Sequence, residues 1–318
     1  MTADLQDTFA TGAGRFAERI AGIIDQGAIA VCLSLGHRTG LFVTMAGMAP
    51  AGSVGIASAA DLAERYGREW LAVMVTGGIV DYDPETSRYH LPAERAACLT
   101  RGAALGNFAV YAQHIALMGQ VQDRTVACLE TGEGTRYGDY PCFHQIMAED
   151  SAQTVVEALF DHVLPLATGI EDRLADGIDV LDAGCGRGLV LIEMAQRYPE
   201  SRFTGYDLCG DAIDWARAAA RRLGLGNVTF EVRDLTGFAM PDRFAFVTSF
   251  DAIHDQKDPQ GLIRGLKASL RPGGTYLVQD IGGSAKLENN LDFPMASLLS
   301  AISLTHCTPV SIGQGGEG

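Results

Sequence analysis

The chain lacks several patterns that would assign it to common classes of protein. Its seven cysteines form no CxxC pair, which argues against a disulfide framework and a thiolate zinc site. HxH and HExxH spacings are absent too, so no metal site is predicted. Basic residues are scarce, with 24 Lys and Arg against 39 Asp and Glu, and the net charge of −15 disfavours nucleic acid as a ligand.

The sequence also offers no targeting or membrane pattern that we recognise. Its opening MTADLQDTFATGAGRFAERI has no basic-then-apolar order, and we expect no apolar run long enough to span a bilayer. We therefore expect a cytoplasmic protein without a membrane partner. With 318 residues, 47% hydrophobic and 20% charged, the chain is long enough for two globular domains.

The N-terminal part reads as helices followed by a hairpin. Apolar residues recur at helical spacing over residues 15–78, with breaks predicted at Gly36, Gly40 and a loop over 46–55. Ser58 is expected to cap a short helix that Gly67 separates from a second one. Residues 79–82 and 88–91 flank a turn at Asp83-Pro84 and are predicted to pair. The order indicates a winged-helix-like domain over residues 1–100.

Residues 101–170 are predicted to form a helical linker and lid. The helical pattern is interrupted by a polar, glycine-rich loop at 131–139. Beyond Gly177, strands and helices alternate, which predicts a Rossmann-like, doubly wound, mostly parallel sheet over residues 171–318. Ligands of such sheets bind at the carboxyl ends of the strands.

The first strand of this sheet runs into the loop Asp182-Ala183-Gly184-Cys185-Gly186-Arg187-Gly188. Glycines here allow a positive φ and let a ligand approach bare backbone. A dinucleotide loop of the form GxGxxG would place its third glycine where Leu189 stands. The loop therefore suits a small zwitterionic group better than a diphosphate, although a purely structural glycine turn gives the same pattern.

Two further acids follow successive strands. Asp207 ends the second strand, where its carboxylate could accept both ribose hydroxyls, and a nicotinamide enzyme would also need an acid there. Asp234 follows the third strand beside Leu235 and could accept an adenine amino proton. Each acid alone is more often a solvated or capping group, but three in register favour a nucleoside cofactor.

From Gly177 to about Ile281 the chain resembles class I S-adenosylmethionine-dependent methyltransferases. The resemblance lies in VLDAGCGRG, GYDL, VRDL, FVTSFDAIHD and LRPGGTYLVQD. It implies S-adenosyl-L-methionine as the cofactor, with the glycine loop against its methionine part and an ammonium held by the first acid. The residues to which it assigns cofactor contacts are Asp182, Gly184, Cys185, Gly186, Asp207, Leu208, Asp234, Leu235 and Phe250.

The segments RYHLP (88–92) and YPCFHQIMAEDS (140–151) resemble a bacterial subgroup of these enzymes with an N-terminal winged-helix segment. That resemblance implies a homodimer and a lid formed by Tyr140, Phe143 and His144, although residues of this kind at a helix start more often serve packing. The turn between LAER (62–65) and REWL (68–71) looks shortened. The chain also stops at Gly318 before the family's two last strands, so we expect a truncated chain of reduced activity with one open sheet edge.

His254 is the best candidate for a general base, because its ordinary pKa lies near neutrality and Asp255 is adjacent. A histidine that merely caps a helix is an equally good interpretation, and Asp280 and His306 are weaker candidates. The predicted activity is methyl transfer to an unidentified small-molecule acceptor. Two alternatives stay open: a winged-helix DNA-binding regulator with a nucleoside-sensing domain, and a nicotinamide enzyme.

Overall fold

A computed structural model of the chain describes residues 12–102 and 106–318. Contacts divide the chain into two compact units, the first ending at Ala116 and the second running from Leu117 to Gly318. The division falls inside one helix, Phe108–Gln120. The two units are described separately below.

Unit 1 consists of helices and one hairpin. Its core surrounds Trp70, whose ring meets Phe42 edge-on at a centroid distance of 5.3 Å. A Cβ at Gly36 would lie 2.5 Å from the Trp70 ring, so this glycine permits close packing. The elements are α1 (Gly12–Thr39), α2 (Leu41–Ala46), α3 (Ser53–Ala59), α4 (Glu64–Thr76), β1 (Asp81–Asp83), β2 (Arg88–His90), α5 (Ala93–Ala96) and α6 (Phe108–Gln120).

The predicted hairpin is confirmed, with Asp83 opposite Arg88 in an antiparallel pair. Several predicted helix boundaries are wrong. Gly36 and Gly67 lie inside α1 and α4, and Ser58 lies inside α3 rather than at a helix start. Residues 60–63 form a four-residue connection between α3 and α4, which is the usual length in a helix-turn-helix, so the turn is not shortened.

α1 also corrects the expectation that no apolar run could span a bilayer. It is 28 residues long, and its most apolar window has a mean hydropathy of 1.4. By length and composition alone it could cross a membrane, a test that core helices of soluble proteins also pass.

Unit 2 holds a five-stranded sheet with every neighbouring pair parallel, in the order β5-β4-β3-β6-β7. After β3 the chain adds β4 and β5 on one side, and then β6 and β7 on the other side. A doubly wound sheet has its ligand crevice where this order reverses, here between β3 and β6. The strands are β3 (Asp179–Ala183), β4 (Arg202–Asp207), β5 (Val228–Val232), β6 (Phe244–Phe250) and β7 (Leu270–Gln279).

The helices of unit 2 cover both faces of the sheet. Alternate residues of a strand point to opposite faces, and accordingly Val180 and Phe246 join one apolar cluster while Leu181 and Val247 join another. The helices are α7 (Gln122–Thr131), α8 (Phe143–Ser151), α9 (Ile170–Asp176), α10 (Leu189–Arg197), α11 (Gly210–Arg222), α12 (Pro259–Ser269), α13 (Ala296–Ile302) and α14 (Thr308–Gly313).

Irregular helical turns complete unit 2. A 3-10 turn at Tyr137–Asp139 lies within the predicted glycine-rich interruption, and π-helical turns extend α8 over Ala152–Val156 and Leu159–Val163. Another π-helical turn, Ser303–Cys307, joins α13 to α14. β5 and β7 form the two edges of the sheet.

Candidate functional site

Every strand of the sheet delivers an aspartate to the same edge. Because the strands are parallel, their carboxyl ends lie together. The aspartates stand at the last strand residues or within two positions after them: Asp182, Asp207, Asp234, Asp251 and Asp280. Two of them, Asp251 and Asp280, were not assigned a cofactor role from the sequence.

The glycine loop after β3 adopts a backbone that other residues rarely take. Gly184, Gly186 and Gly188 have φ of 77°, 52° and 68°. The Gly184 amide donates to the Tyr206 carbonyl at 2.9 Å, and a Cβ on Gly184 would lie 2.5 Å from that of Ala252. The loop is therefore held against β4, and at Gly184 a side chain would clash with Ala252.

Asp207 fixes this loop to the end of β4. Its Oδ2 accepts the Gly186 amide at 2.8 Å, and its Oδ1 accepts the Cys209 amide at 2.8 Å. Each carboxylate oxygen has a second acceptor position that a ribose hydroxyl could use. Cys185, inside the loop, is an inert thiol, since burial raises its pKa well above the ordinary value.

Asp182 is buried at the end of β3. Its Oδ1 accepts the Thr248 hydroxyl at 2.8 Å. Burial, reinforced by the charge of Asp207, raises the pKa of Asp182 to about 6. A carboxylate held in this way gains from a nearby cation, because a cation favours the charged form.

The predicted adenine residues lie in different surroundings. Asp234 is exposed, and the bond from the Thr236 amide to its Oδ1, 2.8 Å long, lowers its pKa. Leu208 is 40% exposed, whereas Leu235 is 5% exposed and packs in a cluster with Phe238. The two leucines therefore differ in exposure and packing, and they do not form a matched pair of surfaces on either side of an adenine ring. The remaining predicted residue, Phe250, is half-buried against the core.

His254 lies in a hydrogen-bonded pair rather than at a helix cap. Its Nδ1 is 2.6 Å from Asp280 Oδ1, and its Nε2 is 3.3 Å from Asp255 Oδ1. Burial lowers the pKa of His254, but hydrogen bonds to Asp280 and Cys307 and the charge of Asp255 outweigh it and raise the pKa to about 11. These partners therefore favour the protonated form of the ring over the neutral form that a general base needs.

Asp255 is enclosed by groups from distant segments. The Tyr137 hydroxyl donates to its Oδ2 at 3.5 Å, and His306 Nδ1 lies 3.8 Å from the same oxygen. Burial, with Asp255 adding its charge, raises the pKa of Tyr137 far above its usual range, so this hydroxyl stays protonated. The other oxygen, Oδ1, is buried without a hydrogen-bond donor.

The three predicted lid residues are all held by hydrogen bonds or ring contacts with other segments of unit 2. Tyr140 shares a 2.6 Å hydrogen bond with the Thr135 hydroxyl and donates to the Thr305 carbonyl at 2.9 Å. The Phe143 ring stacks on His306 with centroids 4.0 Å apart. His144 Nδ1 lies 3.0 Å from Asp211 Oδ2. These contacts attach the loop before α8 and the first turn of α8 to the C-terminal segments and to α11.

Sequence reasoning missed four residues that the structure brings to this edge. Asp251 follows a strand directly, so its position could have revealed it. Thr248 lies within the apolar strand β6, and nothing in the sequence marks it as the partner of Asp182. Tyr137 and Cys307 come from remote segments, and their proximity to Asp255 and His254 follows only from the tertiary fold.

Comparisons with known proteins agree with this architecture. Residues 27–101 match the family described as the Rv2258c-like winged HTH domain, and residues 174–305 match the family described as the methyltransferase domain. The first three curated relatives are matched over only 30%, 31% and 44% of their own length. One of them, 2-heptyl-1-hydroxyquinolin-4(1H)-one methyltransferase of Mycobacteroides abscessus, is 35% identical over 31% of this chain.

Solved structures resemble nearly the whole chain at low identity, which establishes the fold alone. Mitomycin 7-O-methyltransferase has a TM-score of 0.65 and 19% identity, over 95% of this chain and 89% of that one. Human N-acetylserotonin methyltransferase, solved with S-adenosylmethionine, has a TM-score of 0.62 and 15% identity, over 93% and 87% of the two chains. The chain therefore combines a winged HTH domain over residues 27–101 with a methyltransferase domain over residues 174–305, whose sheet has the order of the Rossmann-like class I fold.

Proposed function

We propose that the protein transfers a methyl group from S-adenosyl-L-methionine to a small-molecule acceptor. One observation carries this proposal: the glycine loop is bonded to Asp207 beside a buried Asp182, at the point where the sheet order reverses. When bound, the cofactor supplies an electrophilic methyl group on a sulfonium. The protein has to hold that group and align an acceptor with it.

The residues of the loop fit a cofactor with an amino-acid tail and a ribose. Gly184 and Gly186 expose backbone at positive φ, which permits close approach. Asp182, buried and with a raised pKa, would be stabilised as an anion by the ammonium of the tail. Asp207 would accept the ribose hydroxyls on the lone pairs that the Gly186 and Cys209 amides leave.

His254 and Asp255 would act on the acceptor. His254 carries a positive charge and is oriented by Asp280, so it can hold an acceptor oxygen but cannot take its proton. The buried Oδ1 of Asp255 lies 3.3 Å from His254 Nε2 and accepts no well-aligned hydrogen bond, so it is the adjacent group that would accept that proton. This division of roles favours a hydroxyl as the acceptor group. His254→Ala should bind cofactor normally and lose turnover once an acceptor is known.

Binding of S-adenosylhomocysteine, measured by calorimetry, tests the proposal without an acceptor. We expect micromolar binding to the full chain and none of NADH. Asp182→Asn should weaken binding because it removes the partner of the ammonium, whereas Asp214→Asn, an exposed acid on α11, should not. Binding of NADH with no response to S-adenosylhomocysteine would overturn the assignment in favour of a nicotinamide cofactor.

For unit 1 we propose pairing of two chains rather than DNA binding. α1 leaves several large apolar side chains exposed: Phe16, Ile20, Ile23, Ile24, Val31 and Leu35. In α4, which would be the recognition helix, Arg65 pairs with Glu69 and Arg68 pairs with Glu64. These pairs neutralise cations that phosphate binding would need.

Sedimentation and DNA migration separate the two roles of unit 1. We expect a homodimer and no retardation of DNA at physiological salt. A monomer that retards DNA would favour the regulator instead. All seven cysteines are free thiols, which supports the proposed location in a reducing cytoplasm.

A further inference from the structure

A cluster of three potential metal ligands lies beside the end of β6. A ring nitrogen of His254, a carboxylate oxygen of Asp255 and the thiol sulfur of Cys307 all lie within 4.8 Å of one another. We propose that this cluster binds one divalent cation of the zinc type. The proposal goes beyond methyl transfer, and neither depends on the other.

The donor set is one that zinc uses. Nitrogen, oxygen and thiolate sulfur are its ordinary protein ligands. Two light ligands about 2.0–2.1 Å from a tetrahedral zinc lie about 3.3–3.4 Å apart, and His254 Nε2 is 3.3 Å from Asp255 Oδ1. The thiol sulfur of Cys307, within 4.8 Å of a ring nitrogen of His254 and a carboxylate oxygen of Asp255, would only have to move closer to the pair.

An independent observation points to a ligand at this position. Asp255 Oδ1 is buried, belongs to a side chain that is 9% exposed, and receives no hydrogen bond. Buried carboxylate oxygens are normally paired or bound to a metal. The nearest positive group is the His254 ring, whose Nε2 lies 3.3 Å away, and a cation between His254 and Cys307 would take the place of the ring proton as the partner of this oxygen.

The surroundings of His254 suit a metal-bound imidazole. Its Nδ1 is engaged by Asp280 Oδ1 at 2.6 Å, and its Nε2 is the nitrogen next to Asp255. A carboxylate on the far nitrogen is the usual support of a zinc-bound histidine, since it fixes the ring and strengthens the ligand. Three protein ligands would leave a fourth position for water or an acceptor oxygen.

A second cluster in unit 2 provides a control. His144, Cys209 and Asp211 satisfy the same distance limit, but the Asp211 side chain is 73% exposed and its Oδ2 is already 3.0 Å from His144 Nδ1. In this second cluster, no buried carboxylate oxygen is left without a hydrogen-bond partner. Sequence spacing predicted neither cluster, because their ligands come from separate segments.

A bound cation would change the acceptor side of the site. It would occupy His254 Nε2 and Asp255 Oδ1, the two atoms assigned above to the acceptor, so the metal-loaded and metal-free proteins would differ in their handling of the acceptor proton. The cofactor loop, held by Asp207, lies outside the cluster.

The test uses the full chain without a histidine tag, reduced and freed of metal by a chelator. Zn²⁺ is titrated by calorimetry, and Co²⁺ by absorption, where sulfur ligation gives a charge-transfer band. We expect one ion per chain. Cys307→Ser should lose the charge-transfer band and weaken Zn²⁺ binding at least about tenfold, and Asp280→Asn should weaken it about 10–100-fold. Cys209→Ser should change neither.

Folding and cofactor binding are followed in the same samples. Unaltered S-adenosylhomocysteine binding by Cys307→Ser would show that the variant is folded, so its loss of metal is specific. No saturable Zn²⁺ binding by the wild-type chain, or binding equally strong in Cys307→Ser and Asp255→Asn, would overturn the metal site. Absence of S-adenosylhomocysteine binding with intact Zn²⁺ binding would instead overturn the proposed methyl transfer.

Discussion

Asp207→Asn is the change that tests the cofactor loop most directly. Both oxygens of Asp207 accept backbone amides at 2.8 Å, from Gly186 and Cys209. An asparagine keeps one acceptor oxygen and turns its NH₂ toward the other amide, which then has no partner. An unsatisfied donor costs about 1–3 kcal/mol, and loss of the charge weakens the remaining bond to about half.

Together these effects predict a loss of about 2–4 kcal/mol in the free energy of unfolding of unit 2. For a unit of this size, each kcal/mol lowers Tm by about 2–4 °C, so a fall of about 5–15 °C is expected. The variant should also bind S-adenosylhomocysteine at least about tenfold more weakly, since a bond to a charged acceptor contributes about 1.5–3 kcal/mol.

Thermal unfolding and calorimetry on the same preparation measure the two effects. Asp214→Asn is the control, because its side chain is 77% exposed and its 3.4 Å pair with Arg217 is a surface pair worth little. If Asp207→Asn keeps the Tm and the affinity of the wild type while Asp214→Asn does too, the loop is not organised by this carboxylate. A lower Tm with unchanged affinity would remove the ribose role and leave the structural one.

Three further changes test other parts of the molecule. Asp182 has a pKa of about 6 and a cofactor ammonium would favour its charged form, so S-adenosylhomocysteine should bind more weakly at about pH 5 than at about pH 7.5; calorimetry should show this pH dependence disappear in Asp182→Asn. Phe246→Ala empties a fully buried position and should cost about 3–5 kcal/mol by urea unfolding, against under about 0.5 kcal/mol for the half-exposed Leu223→Ala. Ile24→Glu at one of the exposed apolar positions of α1 should shift the dimer to monomer in sedimentation, whereas Glu18→Ala should not; a wild-type monomer would contradict the dimer.

The sheet of unit 2 was predictable because its signal is local. Each strand is a short segment bounded by turn residues, and β3 to β6 and the C-terminal part of β7 lie where that pattern places them. The strand-end positions of Asp182, Asp207 and Asp234 followed from the same reasoning. β7 begins at Leu270, earlier than the pattern indicated, because Leu270 pairs with Phe244 before a register shift.

The errors in unit 1 come from reading glycine as a helix breaker. Gly67 continues α4, and a Cβ there would make only an ordinary 3.5 Å contact with the Cβ of Ala57. Gly36 in α1 serves the rings of Trp70 and Phe42. Tertiary packing outweighs the cost of about 1 kcal/mol for glycine inside a helix.

The raised pKa of His254 could not be predicted from the sequence. Its sequence neighbour Asp255 was visible, but the stronger partners Asp280 and Cys307 come from the end of β7 and from the C-terminal helices. Electrostatic partners that are distant in sequence leave no periodic pattern. The sequence could identify His254 as a candidate, but its charge state depends on partners that only the fold brings close to it.

The proposed cofactor half and the proposed acceptor half of the site therefore have different origins in the chain. The cofactor half depends on β3, β4 and the loop between β3 and α10, which form one continuous supersecondary unit. The acceptor half is assembled from three separate segments: the Thr135 amide donates to the Pro309 carbonyl at 2.8 Å, and Gln314 Nε2 donates to the Asp255 carbonyl at 3.4 Å. Since no bond of the glycine loop passes through these contacts, substitutions in the C-terminal helices can alter the acceptor half while the cofactor half keeps its geometry.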